Sequence, residues 1–410
     1  MTPRLLDLTR LVSRLGRPAL TGVDRVERAW AEHLLKGDAI QGAPLFALVR
    51  NAWGFALLDA AGVRRVLALT DGAPLGPPDL IGRLSRRGDA LRARAEAEIR
   101  RIALARCAVP GLPRLLRRLP AETAYFNMGH SNLTPRVMAA LRGPVVVLIH
   151  DTIPLDHPEF TRADIPAVFT RKLAAVSARA DLVVHSAAAT RAVTEAHLAR
   201  LGRVPPGIVA PLGITAAAPG AYQVPGLDPS RRFFVTVGTI EPRKNHALLL
   251  AVWAELARRL PPAQLPQLPQ LVIAGSRGWR NMAVFQALDS RPAGVIEVAG
   301  LGDAALSGLI QASQGLLFPS HVEGFGLPPM EAASLGAPVC VSDLPVLREM
   351  LGDYPVYLKP TDVYSWLETI ERLSGVERLT DKGVGGKGTM TRRWIAPTWD
   401  AHFNAVLNIV

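Results

Sequence analysis

Hydrophobic residues along the chain cluster in short, nearly continuous runs that alternate with longer stretches of mixed character. The runs are rich in Val, Ile and Leu, and Gly, Pro or charged residues bound them. Runs that stay apolar at successive positions are typical of parallel strands buried on both faces. They cover residues 143–151, 180–186, 231–239, 269–276, 294–301, 314–320 and 337–343.

The stretches between these runs have the spacing of amphipathic helices. Residues 245–260 are one example, in which the apolar positions fall on one helical face. Strands that alternate with helices predict α/β layers joined by right-handed crossovers. The apolar positions of this example are Leu248, Leu249, Val252, Trp253 and Leu256.

A Gly- and Pro-rich segment without periodicity interrupts the alternation at residues 211–230. A chain of 410 residues is long enough for two or three domains of roughly 100–200 residues each. We therefore expect a first doubly wound domain over residues 1–215, a linker over 216–230 and a second such domain over 231–391. In open sheets of this class, ligands bind at the carboxyl ends of the strands.

Composition places the chain among globular proteins, because 49% of its residues are apolar and 20% are charged. Its net charge of +12 would suit nucleic acid, an anionic membrane face or phosphorylated substrates, or it reflects a bias toward Arg without function. Residues 82–118 hold the densest arginines. They predict either a solvated basic helix or an interfacial helix on anionic lipid.

Cysteine usage and the termini indicate the compartment. Cys107 and Cys340 lack metal-type spacing, so neither a zinc site nor a disulfide scaffold is expected, and a reducing compartment fits. The first residues do not resemble a signal peptide, and no apolar run reaches about 18 residues. We expect a cytoplasmic protein, with peripheral attachment to the inner face of the cell membrane as the alternative. Residues 382–393 are Gly-rich and predict a mobile loop rather than a phosphate loop.

Two carboxylates in the segment EGFGLPPME are the strongest candidates for chemistry. Glu323 and Glu331 cannot share one helix, because Pro328 and Pro329 stand between them. We expect Glu323 in the loop after a strand and Glu331 in the first turn of the helix that begins near Pro329. Free N–H groups at such a helix start suit a diphosphate, and carboxylates there accept hydrogen bonds from hydroxyls. The alternative is a carboxylate that only complements the helix dipole.

A pair of cations follows another predicted strand in the segment GTIEPRKN. Arg243 and Lys244 come after Gly238, which ends the strand, and Asn245 is a candidate helix cap. Adjacent cations at a strand's carboxyl end suit a leaving diphosphate, because charge-assisted hydrogen bonds are strong. An ordinary exposed basic turn is the alternative.

These two segments together resemble the donor half of the retaining glycosyltransferase family 4. The resemblance covers nearly all of the chain and is most specific in the second half. It implies the GT-B fold, in which two doubly wound Rossmann-like domains face a central cleft. It also implies a last helix, over residues 392–410, that returns toward the first domain. The phrases EPRKN, IAGSRGW and HDTIPLDHPE are similar to the bacterial mannosyltransferase-like branch of polysaccharide assembly.

The resemblance assigns roles to individual residues. In the first half, LTGVDRVERAWAEHL is similar to the family's early glycine loop, although Thr21 replaces a glycine there. His150, after a predicted strand, would face the transferred sugar, with a structural hydrogen bond as the alternative. The catalytic candidates are His150, Arg243, Lys244 and Glu323; the donor-binding candidates are Gly22, Gly238, Gly300, Leu301, Phe325, Gly326, Leu327 and Glu331; the acceptor-side candidates are His130 and Asp151.

The implied reaction moves a sugar, mannose-like by resemblance, from a nucleoside-diphosphate donor to a saccharide or lipid-linked saccharide acceptor. It retains the anomeric configuration. No cofactor or metal is expected, because the sequence has no Asp-x-Asp metal motif. Two other functions stay open. One is a nucleotide-sugar-binding protein without transfer activity, and the other is a basic nucleic-acid-binding protein. Nucleic acid is not the expected partner, because no basic motif has interleaved aromatics.

Overall fold

Two units, each with its own sheet, make up the chain in the computed structural model. The structure describes residues 2–17, 20–375 and 394–410. The first unit comprises Met1–Leu212 and Trp399–Val410, and the second comprises Gly213–Thr398. The segment 382–393, predicted to be a loop, lies outside the described residues.

The first unit contains an eight-stranded sheet in the order β4-β3-β2-β1-β5-β6-β7-β8. All neighbouring strands pair in parallel except that β3 runs antiparallel to both β2 and β4. The order reverses between β1 and β5, which marks this sheet's switch point. The strands are β1 Arg4–Asp7, β2 Leu45–Asn51, β3 Gly54–Asp59, β4 Ala105–Ala108, β5 Ala124–Asn127, β6 Val145–Ile149, β7 Leu182–His185 and β8 Gly207–Val209.

Two of the eight strands of this sheet follow from the hydrophobic pattern. The predicted runs 143–151 and 180–186 contain β6 and β7, which are buried throughout. The β2–β3 hairpin was not predicted. Its turn is closed by the Asn51 side chain, whose Oδ1 accepts hydrogen bonds from the N–H groups of Trp53 and Gly54. Gly54 is required there, because a Cβ atom would overlap the carbonyl oxygen of Cys107.

Helices cover this sheet and bury apolar side chains against it. A large part of the core packs around β5 and β6 and includes Tyr125, Val145, Val147 and Leu173. The helices are α1 Thr9–Ser13, α2 Gly22–Gln41, α3 Ala60–Thr70, α4 Leu80–Ser85, α5 Ala90–Ile102, α6 Leu112–Leu116, α7 Pro135–Ala140, α8 Ile153–Asp156, α9 Ile165–Arg179 and α10 Ala188–Arg200, with short 3-10 turns at Val109–Gly111 and Pro158–Phe160.

The basic segment 82–118 is not one solvated basic helix, because it contains α5, most of α4, β4 and α6. Several arginines of α5 pair with carboxylates of the same unit. Glu96 accepts from Arg86 and Arg92 at 2.8 and 2.9 Å, and Arg100 binds Asp79 at 2.5 Å. Ion pairs within the unit therefore hold Arg86, Arg92 and Arg100 of this segment. Within the described ranges, no helix is both long and apolar enough to cross a bilayer. Contact with a membrane stays a prediction.

The second unit contains a six-stranded sheet in the order β11-β10-β9-β12-β13-β14, and every strand pair in it is parallel. This is the Rossmann order 3-2-1-4-5-6, with its switch point between β9 and β12. The six strands are β9 Phe233–Val237, β10 Gln270–Ala274, β11 Val295–Val298, β12 Leu316–Phe318, β13 Val339–Ser342 and β14 Val356–Leu358. The five hydrophobic runs predicted in this half contain β9 to β13, and β14 was not predicted.

The helices of this unit follow the predicted period. The helix expected over residues 245–260 begins at His246, and it buries Trp253 against Phe234 with ring centroids 6.1 Å apart. The helices are α11 His246–Arg259, α12 Met282–Asp289, α13 Asp303–Ala312, α14 Leu327–Ser334, α15 Pro345–Leu351 and α16 Val363–Ser374, with 3-10 turns at Pro242–Lys244 and Pro262–Gln267.

The stretch 216–230 was expected to link the units, but it lies within the second one. The N–H of Gly220 donates to the carbonyl oxygen of Ala304 at 2.8 Å. Gly308, on the same helix α13, approaches Gly220 so closely that a Cβ atom would overlap its carbonyl oxygen. Lack of periodicity here reflects a chain that packs by backbone contact rather than by an apolar face.

The last helix, α17 Trp399–Leu407, belongs to the first unit. His402 Nδ1 lies 3.0 Å from the carbonyl oxygen of Ala210, which requires a proton on Nδ1. The other ring nitrogen therefore accepts from the indole N–H of Trp30 at 3.1 Å. Trp399 stacks on Phe403 with centroids 5.4 Å apart, so this tryptophan has a packing role.

We expect Gly308→Ala to destabilise the second unit by about 1–3 kcal/mol, because the added methyl overpacks the Gly220 backbone. Urea denaturation followed by tryptophan fluorescence measures this. Gly302→Ser, at the N-cap of α13 and with open space around its Cβ, is the matched control and should not lower stability. Equal stability of both variants would contradict the close backbone contact.

Candidate functional site

The segments that carry the predicted second-unit chemistry follow two neighbouring strands. Residues 238–245 come after β9, and residues 319–326 come after β12. These strands flank the switch point of the second sheet. Because parallel strands end at one edge, the topology brings both segments to the place where open α/β sheets bind ligands.

Three of the predicted catalytic side chains form one cluster at this edge. Glu323 Oε2 lies 2.8 Å from Arg243 Nη1, and Glu323 Oε1 lies 2.6 Å from Lys244 Nζ. Arg243 also pairs with Glu241 at 2.9 Å. The Glu323 and Lys244 side chains are 7% and 11% exposed, so both charges are largely withdrawn from water.

Burial and pairing act in opposite directions on this cluster. Burial alone would raise the pKa of the Glu323 carboxyl, but the charges of Arg243 and Lys244 outweigh it and lower the pKa to about 2. Burial lowers the pKa of Lys244, and Glu323 opposes that shift. The Lys244 ammonium also lies 4.3 Å from the centroid of the Phe318 ring. Glu323 is therefore a carboxylate at neutral pH.

Backbone geometry holds the two cations at the strand end. They lie on the 3-10 turn Pro242–Lys244, and the carbonyl oxygen of Arg243 accepts from the N–H of His321 at 2.9 Å. Gly238 has φ of 143°, and a Cβ atom there would lie 3.3 Å from Lys244 Cε. Its lack of a side chain thus leaves room for the lysine.

Asn245 is the N-cap residue of α11, as the sequence predicted, but its side chain makes no capping hydrogen bond. Its φ is 55°, in the left-handed region that asparagine tolerates better than most residues. Its side-chain amide instead donates to the carbonyl oxygens of Pro319 and Pro360 at 3.1 and 2.8 Å. The residue therefore joins the loop after β9 to the loop after β12.

The helix α14 begins directly beside the cluster. Gly326, its N-cap, has φ of 93°, and a Cβ atom would lie 2.6 Å from Leu347 Cδ2. Leu327 is the first helical residue, so Glu331 is the fifth and lies beyond the first turn in which we expected it. Phe325 is buried at 7% exposure. Binding roles for Phe325, Leu327 and Glu331 stay predictions.

Gly300 and Leu301 lie in the loop between β11 and α13. Gly300 has φ of 76°, and no atom lies within 4 Å of an ideal Cβ position. The backbone conformation, rather than crowding by protein atoms, therefore favours glycine there. The predicted contact with a nucleotide base stays a prediction.

The first-unit candidates His130 and His150 also lie together, with ring centroids 5.1 Å apart. His150 follows β6 and places Nε2 2.7 Å from the carbonyl oxygen of Met128, which requires the proton on Nε2. Burial lowers its pKa to about 4, so the ring is neutral at pH 7. Asp151 Oδ1 accepts from the N–H of Ile153 at 3.1 Å. The sugar-contacting role of His150 stays a prediction.

Gly22 is the first residue of α2, and Thr21 precedes it as N-cap. Asp24 Oδ2 accepts from the Thr21 N–H at 2.7 Å and from its hydroxyl at 2.6 Å. A glycine at position 21 would lack that hydroxyl. The departure from the family pattern therefore adds a hydrogen bond at the helix start.

Sequence reasoning missed a group of buried polar residues at the switch point of the first sheet. Asp7 Oδ2 accepts from the Tyr125 hydroxyl at 2.8 Å and from Asn132 Nδ2 at 2.7 Å. Glu27 Oε2 accepts from the Leu11 N–H at 2.6 Å, and its side chain is fully buried. A polar residue at the end of an apolar strand, as in RLLD, was the available signal.

Comparison with known proteins supports a glycosyltransferase assignment. Residues 222–380 match the family Glycosyl transferases group 1. The serotype-specific mannosyltransferase WbdA of Escherichia coli is 29% identical over 252 residues, which cover 55% of this chain and 30% of that protein. The O-antigen chain mannosyltransferase B of Escherichia coli is 34% identical over 129 residues, 31% of this chain and 32% of that protein. The chain thus spans about a third of the length of these relatives.

Solved structures share the fold. The Anabaena protein Alr3699/HepE, determined in complex with UDP and glucose, superposes with a TM-score of 0.57 at 14% identity, over 99% of this chain and 95% of that one. The predicted GT-B fold class is confirmed. Each unit has the doubly wound sheet expected of that class.

We expect the stabilising effect of Glu323 to depend on pH. Its pKa falls from an ordinary 4.5 to about 2 on folding, which corresponds to about 3 kcal/mol above pH 5. Below pH 4.5 the unfolded chain takes up the proton while the folded carboxylate stays charged, so the contribution declines until the folded pKa is passed. The stability difference between wild type and Glu323→Gln should therefore shrink by about 2 kcal/mol from pH 7 to pH 3.

Urea denaturation at pH 7, 5 and 3 measures this difference. Glu349→Gln, an exposed carboxylate of α15 in the same unit, is the control and should show little change with pH. A difference between wild type and Glu323→Gln that is the same at all three pH values would contradict the assigned ionisation.

Proposed function

We propose that the chain transfers a sugar from a nucleoside diphosphate to a hydroxyl group of an acceptor, because residues 222–380 match the family Glycosyl transferases group 1. One observation carries the proposal. Arg243 and Lys244 present two cations at the switch point of the second sheet, beside the start of α14, and Glu323 bridges them. Cations and free helix N–H groups in one place suit a diphosphate.

In the transfer, the bond between the anomeric carbon and the diphosphate oxygen breaks. The bond from the acceptor oxygen to that carbon forms, and the hydroxyl proton leaves with the nucleoside diphosphate. Negative charge grows on the leaving diphosphate. Arg243, Lys244 and the N-terminus of α14 stabilise that charge, which is the main electrostatic requirement of the step. These fixed cations supply what a metal would, so we propose a metal-independent site.

Glu323 has two successive tasks in this proposal. Before the donor arrives, it keeps Arg243 and Lys244 charged and oriented. A bound diphosphate competes for both cations, and each Glu323 oxygen then accepts a hydrogen bond from a sugar hydroxyl. Glu331, one turn further along α14, binds the ribose. The carboxylate that organises the empty site thus positions the sugar in the occupied one.

For the substrates, we propose a mannose-like sugar and a saccharide or lipid-linked saccharide acceptor in cell-surface polysaccharide assembly. The similarity to two proteins named as mannosyltransferases supports the sugar. Retention of anomeric configuration is proposed from the resemblance to family 4. The place of action is proposed to be the cytoplasm, with the membrane's inner face as the site of a lipid-linked acceptor.

Lys244→Met should weaken binding of nucleoside diphosphates about 10- to 100-fold, because one charge-assisted hydrogen bond of about 1.5–3 kcal/mol is lost. Isothermal titration calorimetry against GDP, UDP and ADP without metal measures this and identifies the base. Lys359→Met removes an exposed lysine from the same unit and should leave affinity unchanged. Equal affinities of Lys244→Met and wild type would place the diphosphate elsewhere.

Glu323→Gln should lower kcat by about 100-fold or more, because the sugar loses the carboxylate that positions it. Nucleoside diphosphate binding should not weaken, because the variant lacks the charge that competes for Arg243 and Lys244. Mass spectrometry of products from a panel of nucleotide sugars and saccharide acceptors measures turnover. Glu349→Gln, at an exposed position of α15, is the control and should leave kcat unchanged. Donor binding without product formation by the wild type would favour the binding protein without transfer activity. Binding to nucleic acid without binding to any nucleotide sugar would favour a basic nucleic-acid-binding protein.

A further inference from the structure

A second group of cations lies at the switch point of the first sheet. Arg10 follows β1, and His130 follows the neighbouring strand β5. An ideal Cβ on Gly129 would lie 3.2 Å from Arg10 Cβ, so the two loops touch. The loops after β1 and β5, the two strands that flank the switch point, thus bring their side chains together, as the loops after β9 and β12 do in the second sheet.

Lys172 joins this place from the helix α9. The Phe169 ring packs against the His130 ring with centroids 5.7 Å apart. Lys172 is three residues further along the helix and hence on the same face. Burial lowers the pKa of His130 most, and His150, Lys172 and Arg10 lower it further. Burial also lowers the pKa of Lys172, and the charge of Arg10 adds to that shift. The three groups therefore lie within electrostatic reach of one another.

Negative charge does not balance these cations. Among the described residues, the half-buried Lys172 makes no hydrogen bond or ion pair. Arg10 pairs with Asp24 at 2.9 Å, but Asp24 is also within 3.4 Å of Arg14. One carboxylate thus serves two arginines, while the lysine has none.

Two buried carboxyl groups, Asp7 and Glu27, belong to the same strand ends but do not pair with the cations. Burial raises the pKa of Asp7, and it raises that of Glu27 well above its ordinary range. Taking a charge out of water has this effect on a carboxyl group without a cationic partner at contact distance. Within the described part of the chain, neither group forms an ion pair with Arg10 or Lys172, so Lys172 stays without a counter-charge.

Backbone strain and unpaired polar atoms are concentrated in the same loop. His130 and Asn132 have φ of 61° and 56°, in the left-handed region that costs energy for non-glycine residues. Within the described part of the chain, Glu27 Oε1 and Asn132 Oδ1 are buried without a hydrogen-bond partner. Both atoms are hydrogen-bond acceptors, so a hydroxyl group of a ligand would satisfy them and a phosphate oxygen would not. Strained backbone at a strand end is itself typical of a ligand site.

We propose that Lys172 and Arg10 bind a phosphate group of the acceptor beside His130. A half-buried ammonium and a guanidinium fork are the usual protein partners of phosphate, and a neutral hydroxyl would leave Lys172 without a counter-charge. The identification of the ligand as acceptor rests on the proposed transferase function. The anion site itself rests on the contacts above. The phosphate would come from a sugar phosphate or from a lipid headgroup.

Lysine modification tests the site in the intact protein, because the described residues contain few lysines. Acetic anhydride labelling followed by peptide mass spectrometry gives the reaction rate of Lys172 beside those of Lys36, Lys244 and Lys359. At ten times its dissociation constant, mannose 1-phosphate should slow labelling of Lys172 about tenfold, since about a tenth of sites stay free. Methyl mannoside, which lacks the phosphate, should not slow it.

Two further arms identify the phosphate source and separate this proposal from the transferase function. Protection by phosphatidylglycerol vesicles but not by mannose 1-phosphate would assign the site to a lipid headgroup. Protection by mannose 1-phosphate alone would assign it to a sugar phosphate. Nucleoside diphosphates should slow labelling of Lys244 and leave Lys172 unaffected. If nucleoside diphosphates do not slow labelling of Lys244, the proposed donor site is contradicted, and the phosphate site at Lys172 is unaffected.

Variants provide a second measurement. Lys172→Met should weaken binding of the protecting ligand, measured by calorimetry, at least about tenfold, and Lys172→Arg should restore most of the affinity. Lys36→Met removes an exposed lysine from the same unit and should change nothing. Equal labelling of Lys172 with and without both phosphate probes would overturn the proposal, even if transfer to neutral saccharides is observed.

Discussion

The candidate donor site depends on one carboxylate that is withdrawn from water and held by two cations. Glu323 keeps its charge in a largely buried position because Arg243 and Lys244 outweigh the cost of burial. Removing a partner from such a group is expensive, since an uncompensated charge remains inside the protein. Two features of the surrounding loops keep both cations beside Glu323. Asn245 adopts a left-handed conformation, and its side chain joins the loop after β9 to Pro319 and Pro360. Gly238 has no side chain, which leaves room for Lys244.

The switch point of the first sheet meets the opposite electrostatic condition. Asp7 and Glu27 are buried among hydroxyl, amide and backbone donors, and burial raises their pKa values. Arg10 nearby pairs with Asp24, and Lys172 forms no ion pair with any residue that the structure describes. The second sheet thus neutralises its cations with a carboxylate that an incoming diphosphate can displace, and the first leaves positive charge available. Two sheets of one class present different charge patterns at equivalent edges, which suits two different ligands.

Much of the second unit could be predicted from sequence, because its strands are continuous apolar runs and its site residues lie in two compact motifs. The strands β1 to β5, β8 and β14 were not predicted, since they are short or belong to a hairpin whose turn is closed by Asn51. The N-cap position of Asn245 was predicted, but the partners of its side chain could not be. Asparagine suits both a helix cap and a side-chain bridge between loops, so the residue type does not distinguish them. The carbonyl groups that it binds, those of Pro319 and Pro360, are distant in sequence. Glu27 looks like an ordinary surface residue of an amphipathic helix until the fold places it against Leu11 and Gly129.

Net charge was the least informative property, because the sequence does not show which charges folding brings into ion pairs. The basic segment around α5 suggested a lipid or nucleic-acid surface, yet Glu96, Glu98 and Asp79 hold several of its arginines in ion pairs. Such pairs stabilise the unit and reduce the field that a distant anion meets. A single half-buried lysine without a partner is therefore a stronger indication of an anionic ligand than many paired arginines. Binding depends on the charges that folding leaves uncompensated, and these become visible only when the ion pairs are known.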